Sequence, residues 1–425
     1  MEFAEAVAAL DARTNYERTG RLVAPTLDRI AELVDMLDHP ERGYPVIHVT
    51  GTNGKTTTAR AATEVLRAVG LKVATYTSPH VMSVRERFTY DGEPISDGEF
   101  VEAWRELGPY LDYFDSQGKT ITWFEAATAL AFVWFADKAV EAAVIEVGMG
   151  GSWDATNVVD ADVAAFTEIG GDHPELGDGP EEVAREKAGI IKAGTSGVSL
   201  EQSPEVRAVL DAAGPVSYEP VAFALEKVVQ AVGGLSVVVR LGDRVIDDVF
   251  IPVFGEHLAR DALLGTVAAQ VLLGEELSGS VIRAGLADVR VPGRMEVVGR
   301  KPLVVLDGAH NPPGARALTV ALHRSFTWNR LRLVVSVMGD KDVAGVLEPL
   351  VAIADEVIVT RNNSPRAAPV LDLEKVARDL GAEVTIVPEV AEAVQTALAR
   401  SDESDAVLVA GSIYTVGDAR QALLK

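Results

Sequence analysis

One short segment, Gly51-Thr52-Asn53-Gly54-Lys55-Thr56-Thr57, carries the most specific chemistry in the chain. Its glycines let backbone N–H groups curl around a phosphate, and a helix opening behind it would add the partial positive charge of its N-terminus. Lys55 can reach terminal phosphates, and a hydroxyl can meet Mg²⁺. The spacing departs from the common phosphate-loop pattern, because Val49 stands where its first glycine would be. The competing reading is a glycine-rich turn with an incidental lysine.

Five further segments offer weaker chemistry. Glu146-Val147-Gly148-Met149-Gly150-Gly151 would place a carboxylate at a strand end, as a Mg²⁺ ligand or water-orienting group, with glycines that admit a ligand closely. The alternative is a helix cap. In Thr77-Ser78-Pro79-His80 a hydroxyl could ligate a hard cation, although Ser-Pro also simply starts turns. In Gly170-Gly171-Asp172-His173 the histidine is a metal ligand or a solvated loop residue. Arg185 to Ile190 reads as helical, which makes Lys187 an exposed, salt-bridging lysine. In Leu306-Asp307-Gly308-Ala309-His310-Asn311-Pro312, Asp307 could hold a ribose hydroxyl or serve turn chemistry.

These segments fall between elements with a clear rhythm. Val46 to Thr50 reads as a buried strand and Thr56 to Val69 as a helix with one apolar face. Strands are expected at Lys72 to Thr77, Ala142 to Val147 and Asp162 to Thr167, with an apolar helix over Phe124 to Ala136. A β-rich insert, Leu235 to Leu241 and Val245 to Ile251, precedes a helix over His257 to Leu273. Val291-Pro292-Gly293-Arg294 reads as a boundary. A second alternation follows, with strands at Leu303 to Leu306, Leu333 to Val337, Glu356 to Thr360, Glu383 to Val387 and Ala406 to Ala410. The expected fold is α/β: a doubly wound, mostly parallel phosphate-loop domain over 1–291 and a smaller Rossmann-like α/β domain over 292–425. In such sheets ligands gather at the carboxyl ends of strands.

The chain has 425 residues, 48% hydrophobic and 24% charged, as in a globular protein of two domains. It has no cysteine, which excludes a disulfide framework, a thiolate metal site and a cysteine nucleophile. The net charge of −24 argues against nucleic acid or an anionic membrane as a partner. Anionic substrates would need local positive charge from lysines, arginines, metal ions and helix N-termini. Glu2 and Glu5 do not suit a secretory signal, and the apolar run near Ala126 to Ala136 is too short to span a bilayer, so a cytoplasmic location is expected.

Together the segments resemble the folylpolyglutamate synthase/dihydrofolate synthase family of the Mur-ligase group. To those above are added Thr122-Trp123-Phe124-Glu125, Asp154-Ala155-Thr156-Asn157, Pro292-Gly293-Arg294, Gly339-Asp340-Lys341-Asp342 and Gly411-Ser412-Ile413-Tyr414, in the family's order over roughly residues 10 to 420. The resemblance implies an ATP-dependent ligase that adds L-glutamate to dihydropteroate or reduced folates through an acyl phosphate, acting as a monomer. Gly51, Thr52, Asn53, Gly54, Lys55, Thr56 and Thr57 would hold the ATP phosphates. Ser78, Glu146 and His173 would bind Mg²⁺, and a carbamylated Lys187 would ligate a second Mg²⁺. Thr122, Trp123, Phe124, Glu125, Trp153, Asp154 and Ala155 would line the pterin side, with Ser78 and His80 beside the substrate. Arg294 and Asp307 would reach ATP across an interdomain cleft, and His310 and Ser412 would lie near the incoming glutamate.

Three departures from the family stand out. Asp261 follows His257 where an asparagine contacting ATP is common, Ser152 replaces a frequent arginine, and Lys55-Thr56-Thr57 replaces Lys-Gly-Ser or Lys-Gly-Thr. The alternatives are a Mur-type ligase of cell-wall synthesis, whose usual separate N-terminal domain for a nucleotide sugar is not expected ahead of Gly51, or a catalytically idle nucleotide-binding homologue.

Overall fold

A computed structural model describes residues 1–20, 25–171, 174–177 and 179–424. The chain divides into two compact units. The first runs to Arg290, except that Glu17–Gly20 and Val253–His257 group with the second, which continues from Val291.

The first unit is built on β1 (Val46–Thr50), β2 (Val73–Tyr76), β3 (Phe88–Tyr90), β4 (Glu93–Pro94), β5 (Ala142–Glu146), β6 (Val163–Phe166), β7 (Ser196–Ser199) and β8 (Val216–Tyr218). They form one sheet in the order β4-β3-β2-β5-β1-β6-β7-β8. From β2 to β8 every pairing is parallel, while β3 and β4 add an antiparallel edge. β1 is buried along its whole length, as a continuous apolar run flanked by strands and covered by helices must be. Its neighbours β5 and β6 come from later in the chain, so the carboxyl end of β1 opens at the point where strand order reverses.

The Trp123–Asp137 helix is buried on nearly every side and packs Phe132, Trp134 and Phe135 into a core with Ile30, Leu33, Phe100 and Phe114. Farther along the same face of the sheet Phe166 gathers Val183, Ile190, Val206 and Leu210. The insert is a three-stranded antiparallel sheet of β9 (Phe223–Ala231), β10 (Gly234–Leu241) and β11 (Arg244–Ile251), with β10 central. Sequence patterning found the last two and missed β9, whose outer half is largely exposed and carries Glu226, Lys227 and Gln230.

The second unit holds β12 (Glu296–Arg300), β13 (Leu303–Leu306), β14 (Leu331–Val335), β15 (Glu356–Arg361), β16 (Val384–Glu389) and β17 (Ala406–Ala410), ordered β12-β13-β17-β14-β15-β16. All pairs are parallel except β12 with β13. β12 was not expected, because it is only half-buried and lacks an apolar run. Among the described residues no helix is long and apolar enough to cross a membrane.

Candidate active site

β1 delivers Gly51 to the carboxyl edge of the first sheet, and the Lys55–Val69 helix starts directly behind it with Gly54 at its N-cap. Both glycines hold positive φ, 143° and 89°. A Cβ on Gly51 would lie 1.8 Å from Thr167 Oγ1, and one on Gly54 would lie 2.3 Å from an Asp261 carboxylate oxygen. Only glycine fits either place. The loop is tied down by Thr52, whose N–H donates to the Glu168 carbonyl (3.1 Å) and whose hydroxyl accepts the Gly170 N–H (3.1 Å). The Thr57 hydroxyl is buried with no partner among the described residues.

Two ammonium groups converge on one backbone oxygen. Lys55 Nζ donates to the Gly51 carbonyl at 3.2 Å and to the Thr52 carbonyl at 3.4 Å; Lys187 Nζ donates to the same Gly51 carbonyl at 2.9 Å. Lys187 is 1% exposed, which overturns the reading of an exposed, salt-bridging lysine. Its helix, Pro180–Ala188, ends before Gly189 and Ile190, which had been read as helical. The helix packs tightly on the Gly148–Ser152 loop. A Cβ on Gly151 would lie 2.7 Å from the Glu186 carbonyl oxygen, and one on Gly148 would lie 2.4 Å from the Phe124 ring. These glycines therefore serve packing within the protein, where sequence reasoning had assigned them to ligand approach.

Glu146, 1% exposed at the end of β5, accepts the Thr56 hydroxyl on both carboxylate oxygens (2.9 and 3.1 Å) and the Ser78 N–H at 3.1 Å. The Glu146 carboxylate and the Thr56 hydroxyl at the start of the Lys55–Val69 helix are hard oxygen donors, of the kind that suits Mg²⁺. His173 lies outside the described residues. Among those described, no three His, Asp or Glu side chains gather as a metal cluster. His80 Nδ1 accepts the Nε–H of Arg87 at 2.9 Å, and the fully buried Arg87 guanidinium lies 4.5 Å over the Trp123 ring. Arg87 was not singled out from sequence, where it sits in an unremarkable Arg-Glu-Arg run.

The residues expected on the pterin side divide in two. Thr122 and Glu125 form a reciprocal cap on the Trp123–Asp137 helix, Glu125 also pairs with Arg29 at 3.0 Å, and the Trp123 Nε1–H donates to Asp11 at 2.9 Å. Asp154 accepts the Met149 N–H (2.9 Å) and both the N–H and hydroxyl of Thr156 (3.0 and 2.5 Å). Burial raises its pKa, opposed by those hydrogen bonds. These four have partners inside the protein. Phe124, by contrast, stacks near Gly148 with its ring 6.0 Å from that of Tyr76, and Trp153 is half-buried beside buried Ala155. Ser152 donates to Glu186 at 2.5 Å.

In the second unit, buried Asp307 follows β13 and accepts the N–H groups of Met295 and Ala309, both at 2.8 Å. Burial raises its pKa while the Arg294 charge pulls it down. His310 Nδ1 donates to the Gly308 carbonyl at 2.9 Å, which fixes that nitrogen as the protonated one. Ser412, 2% exposed after β17, caps the Ile413–Leu423 helix by accepting the Tyr414 N–H. The Gly339 N–H donates to the Arg366 carbonyl at 2.8 Å, and the Arg366 guanidinium pairs with Asp340. Asp307, His310 and Ser412 thus stand at the carboxyl ends of the adjacent strands β13 and β17.

Comparison with known proteins places the chain in a family. The Mur ligase middle domain matches residues 49–269, and the Mur ligase glutamate ligase domain matches residues 293–413. A dihydrofolate synthase/folylpolyglutamate synthase of Mycobacterium tuberculosis is 38% identical over 440 residues, covering 94% of this chain and 90% of the relative. The folylpolyglutamate synthase structure from that organism, complexed with ADP and AMPPCP, superposes with a TM-score of 0.92 at 37% identity, covering 100% of this chain and 98% of that one. The Escherichia coli FolC structure in complex with DHPP and ADP gives a TM-score of 0.86 at 29% identity, covering 99% and 97%.

Proposed function

The chain belongs to the Mur ligase family, in its dihydrofolate synthase/folylpolyglutamate synthase branch, and from that premise we propose how its residues divide the reaction. It is an ATP-dependent ligase that joins L-glutamate to dihydropteroate or reduced folates and releases ADP and phosphate. A carboxylate is a poor electrophile. Transfer of the γ-phosphoryl group to it gives an acyl phosphate, the glutamate amine attacks the acyl carbon, and phosphate leaves. The obstacle is the approach of one anion to another, so catalysis rests on charge and position.

The observation that carries this assignment is the pair of ammonium groups at Gly51, set beside a helix N-terminus and the Thr56–Glu146 contact. Lys55 and the backbone of Gly51 to Thr57 would hold the phosphates. Ser78 and Glu146, with His173, would hold one Mg²⁺, and Lys187 would hold a second after its amine adds CO2 and loses a proton to become a carbamate. Bound Mg²⁺ neutralises phosphate charge and orients the transferring group. Phe124, Trp153 and Ala155 would face the pteroyl ring, with Ser78 and His80 nearby. Asp261, Arg294 and Asp307 would contact nucleotide, and His310 and Ser412 would receive glutamate. The enzyme would act as a cytoplasmic monomer.

ADP release with ATP, Mg²⁺ and glutamate tests the reading. Release with dihydropteroate establishes dihydrofolate synthase activity, and release with tetrahydrofolate establishes polyglutamate extension. Release with both makes the chain bifunctional, and release with neither overturns the reading. The carbamate predicts that stripping CO2 lowers turnover and that bicarbonate restores it; indifference to both would remove it.

A further inference from the structure

Side chains two residues apart on a strand share a sheet face. On β1 that pairs His48 with Thr50, immediately before the phosphate loop, and both are fully buried. Each grips the loop that follows β5. The Thr50 hydroxyl donates to the Gly150 carbonyl at 3.0 Å, and His48 Nε2 lies 2.8 Å from Thr156 Oγ1. The single Thr156 hydroxyl proton goes to the Asp154 carboxylate, 2.5 Å away. Thr156 can therefore only accept from His48, which puts the imidazole proton on Nε2. Asp154 closes the chain by accepting the Met149 N–H.

The opposite face of the ring makes this costly. His48 Nδ1 is buried with no hydrogen-bond partner among the described residues. Burial, and then the Lys192 charge, push the His48 pKa down to about 3. A neutral histidine with an unmet buried nitrogen is a poor way to fill a core. Its one strong bond reaches the loop that carries Gly148, packed on Phe124, and Trp153-Ala155.

We propose that His48 is a positioning residue for the pteroyl substrate: through Thr156 and Asp154 it sets the Gly148–Ala155 loop from the same strand that presents the phosphate loop. The inference rests on the assignment of Phe124, Trp153 and Ala155 to the pteroyl side. One backbone segment would then fix both substrates of the first chemical step.

Thr156→Val removes the hydroxyl and keeps the shape, and Thr156→Ser restores the hydroxyl. Thr156→Val should raise the KM for whichever pteroyl acid the wild type uses by about fivefold, the size of one buried hydrogen bond, with the KM for ATP unchanged. Thr156→Ser should recover most of that loss, and His48→Gln, which keeps a donor near Nε2, should show little of it. Nitrogen-15 NMR should show His48 as the Nε2–H tautomer without titration from pH 5 to 8. An unchanged pteroyl KM in Thr156→Val, an equal rise for ATP, no recovery in Thr156→Ser, or an Nδ1–H tautomer would each overturn the proposal. A wild type inert toward both pteroyl acids would sink the functional assignment and this inference with it; an active wild type with a silent Thr156→Val would sink this inference alone.

Discussion

The loops at the carboxyl ends of the two sheets are held by different proportions of local and distant contact. In the first unit they are stitched by distant parts of the chain. Lys187 reaches Gly51 across 136 residues, Thr50 reaches Gly150 across 100, and Thr56 reaches Glu146 across 90. In the second unit short caps carry much of the hold, beside longer ties such as Asn362 to Thr415 and Thr415 to Ser336. Asp307 bonds Ala309, Asn311 bonds Gly314, Asp342 bonds Gly345 and Ser412 bonds Tyr414, each within three residues. Local caps make rigid loops that fold with their helices. Long-range stitching brings charges to one point that no short segment could assemble, so the first site exists only when its whole unit is folded.

The largest expected effect tests that convergence. Lys187→Met, close in volume, should lower turnover about 10²- to 10³-fold while leaving the thermal midpoint nearly unchanged. ADP release and a melt on the same sample decide it, and an active variant would mean that the stitch is structural only. Next is Gly54→Ala, which forces a Cβ toward Asp261 at a positive φ. Strain of about 1–3 kcal/mol should weaken ATP binding roughly tenfold or more by calorimetry; wild-type affinity would show that the loop has slack.

The buried histidine gives a pH signature peculiar to the first unit. Its folded pKa of about 3 lies below the ordinary 6.5, so the unfolded chain takes up the proton first. Stability should therefore be full above pH 6.5 and should fall as pH drops below it, by up to about 1.4 kcal/mol per pH unit from this group. Urea midpoints for wild type and His48→Gln should converge on acidification; parallel lines would dismiss the shift. In the second unit, Asp342→Ala should cost about 1 kcal/mol of stability through its lost cap, with Asp342→Asn largely neutral. Equal losses from both would point to charge and not to capping. The smallest effect belongs to Asp261→Asn, which should leave ATP affinity unchanged or tighten it, since it removes negative charge beside the phosphate loop. A clear loss would show that the carboxylate has a task the amide cannot perform.

Much of this was legible in the sequence, and the gaps have physical causes. Strands buried on both faces, such as β1, β5, β6 and β17, announce themselves as apolar runs. Short or half-exposed strands, β4, β8 and β12, lack that contrast and were missed. The phosphate loop was readable because its chemistry is local. Burial of Lys187 was not, because the Arg185-Glu186-Lys187 run looks like a solvated helix face and only the packing of Gly151 on Glu186 shows otherwise. Nor did spacing reveal that Glu125 and Trp123 are satisfied by Arg29 and Asp11, which lie about a hundred residues away.

The bare backbone at Gly151 also bears on how the chain can diverge. A helix whose standoff is set by a missing side chain admits change in one direction only, since nothing smaller than glycine exists and anything larger moves Lys187. In a saturation library selected for growth on the reaction product, positions 148, 151 and 189 should therefore stand as isolated columns of intolerance, for the contacts they would violate are made by Phe124, the Glu186 carbonyl and Ser152. Gly170 and Gly171, where an added Cβ would meet nothing within 4 Å among the described residues, should accept substitution more readily. Drift in this loop would be confined to residues whose side chains point away from the packed helix.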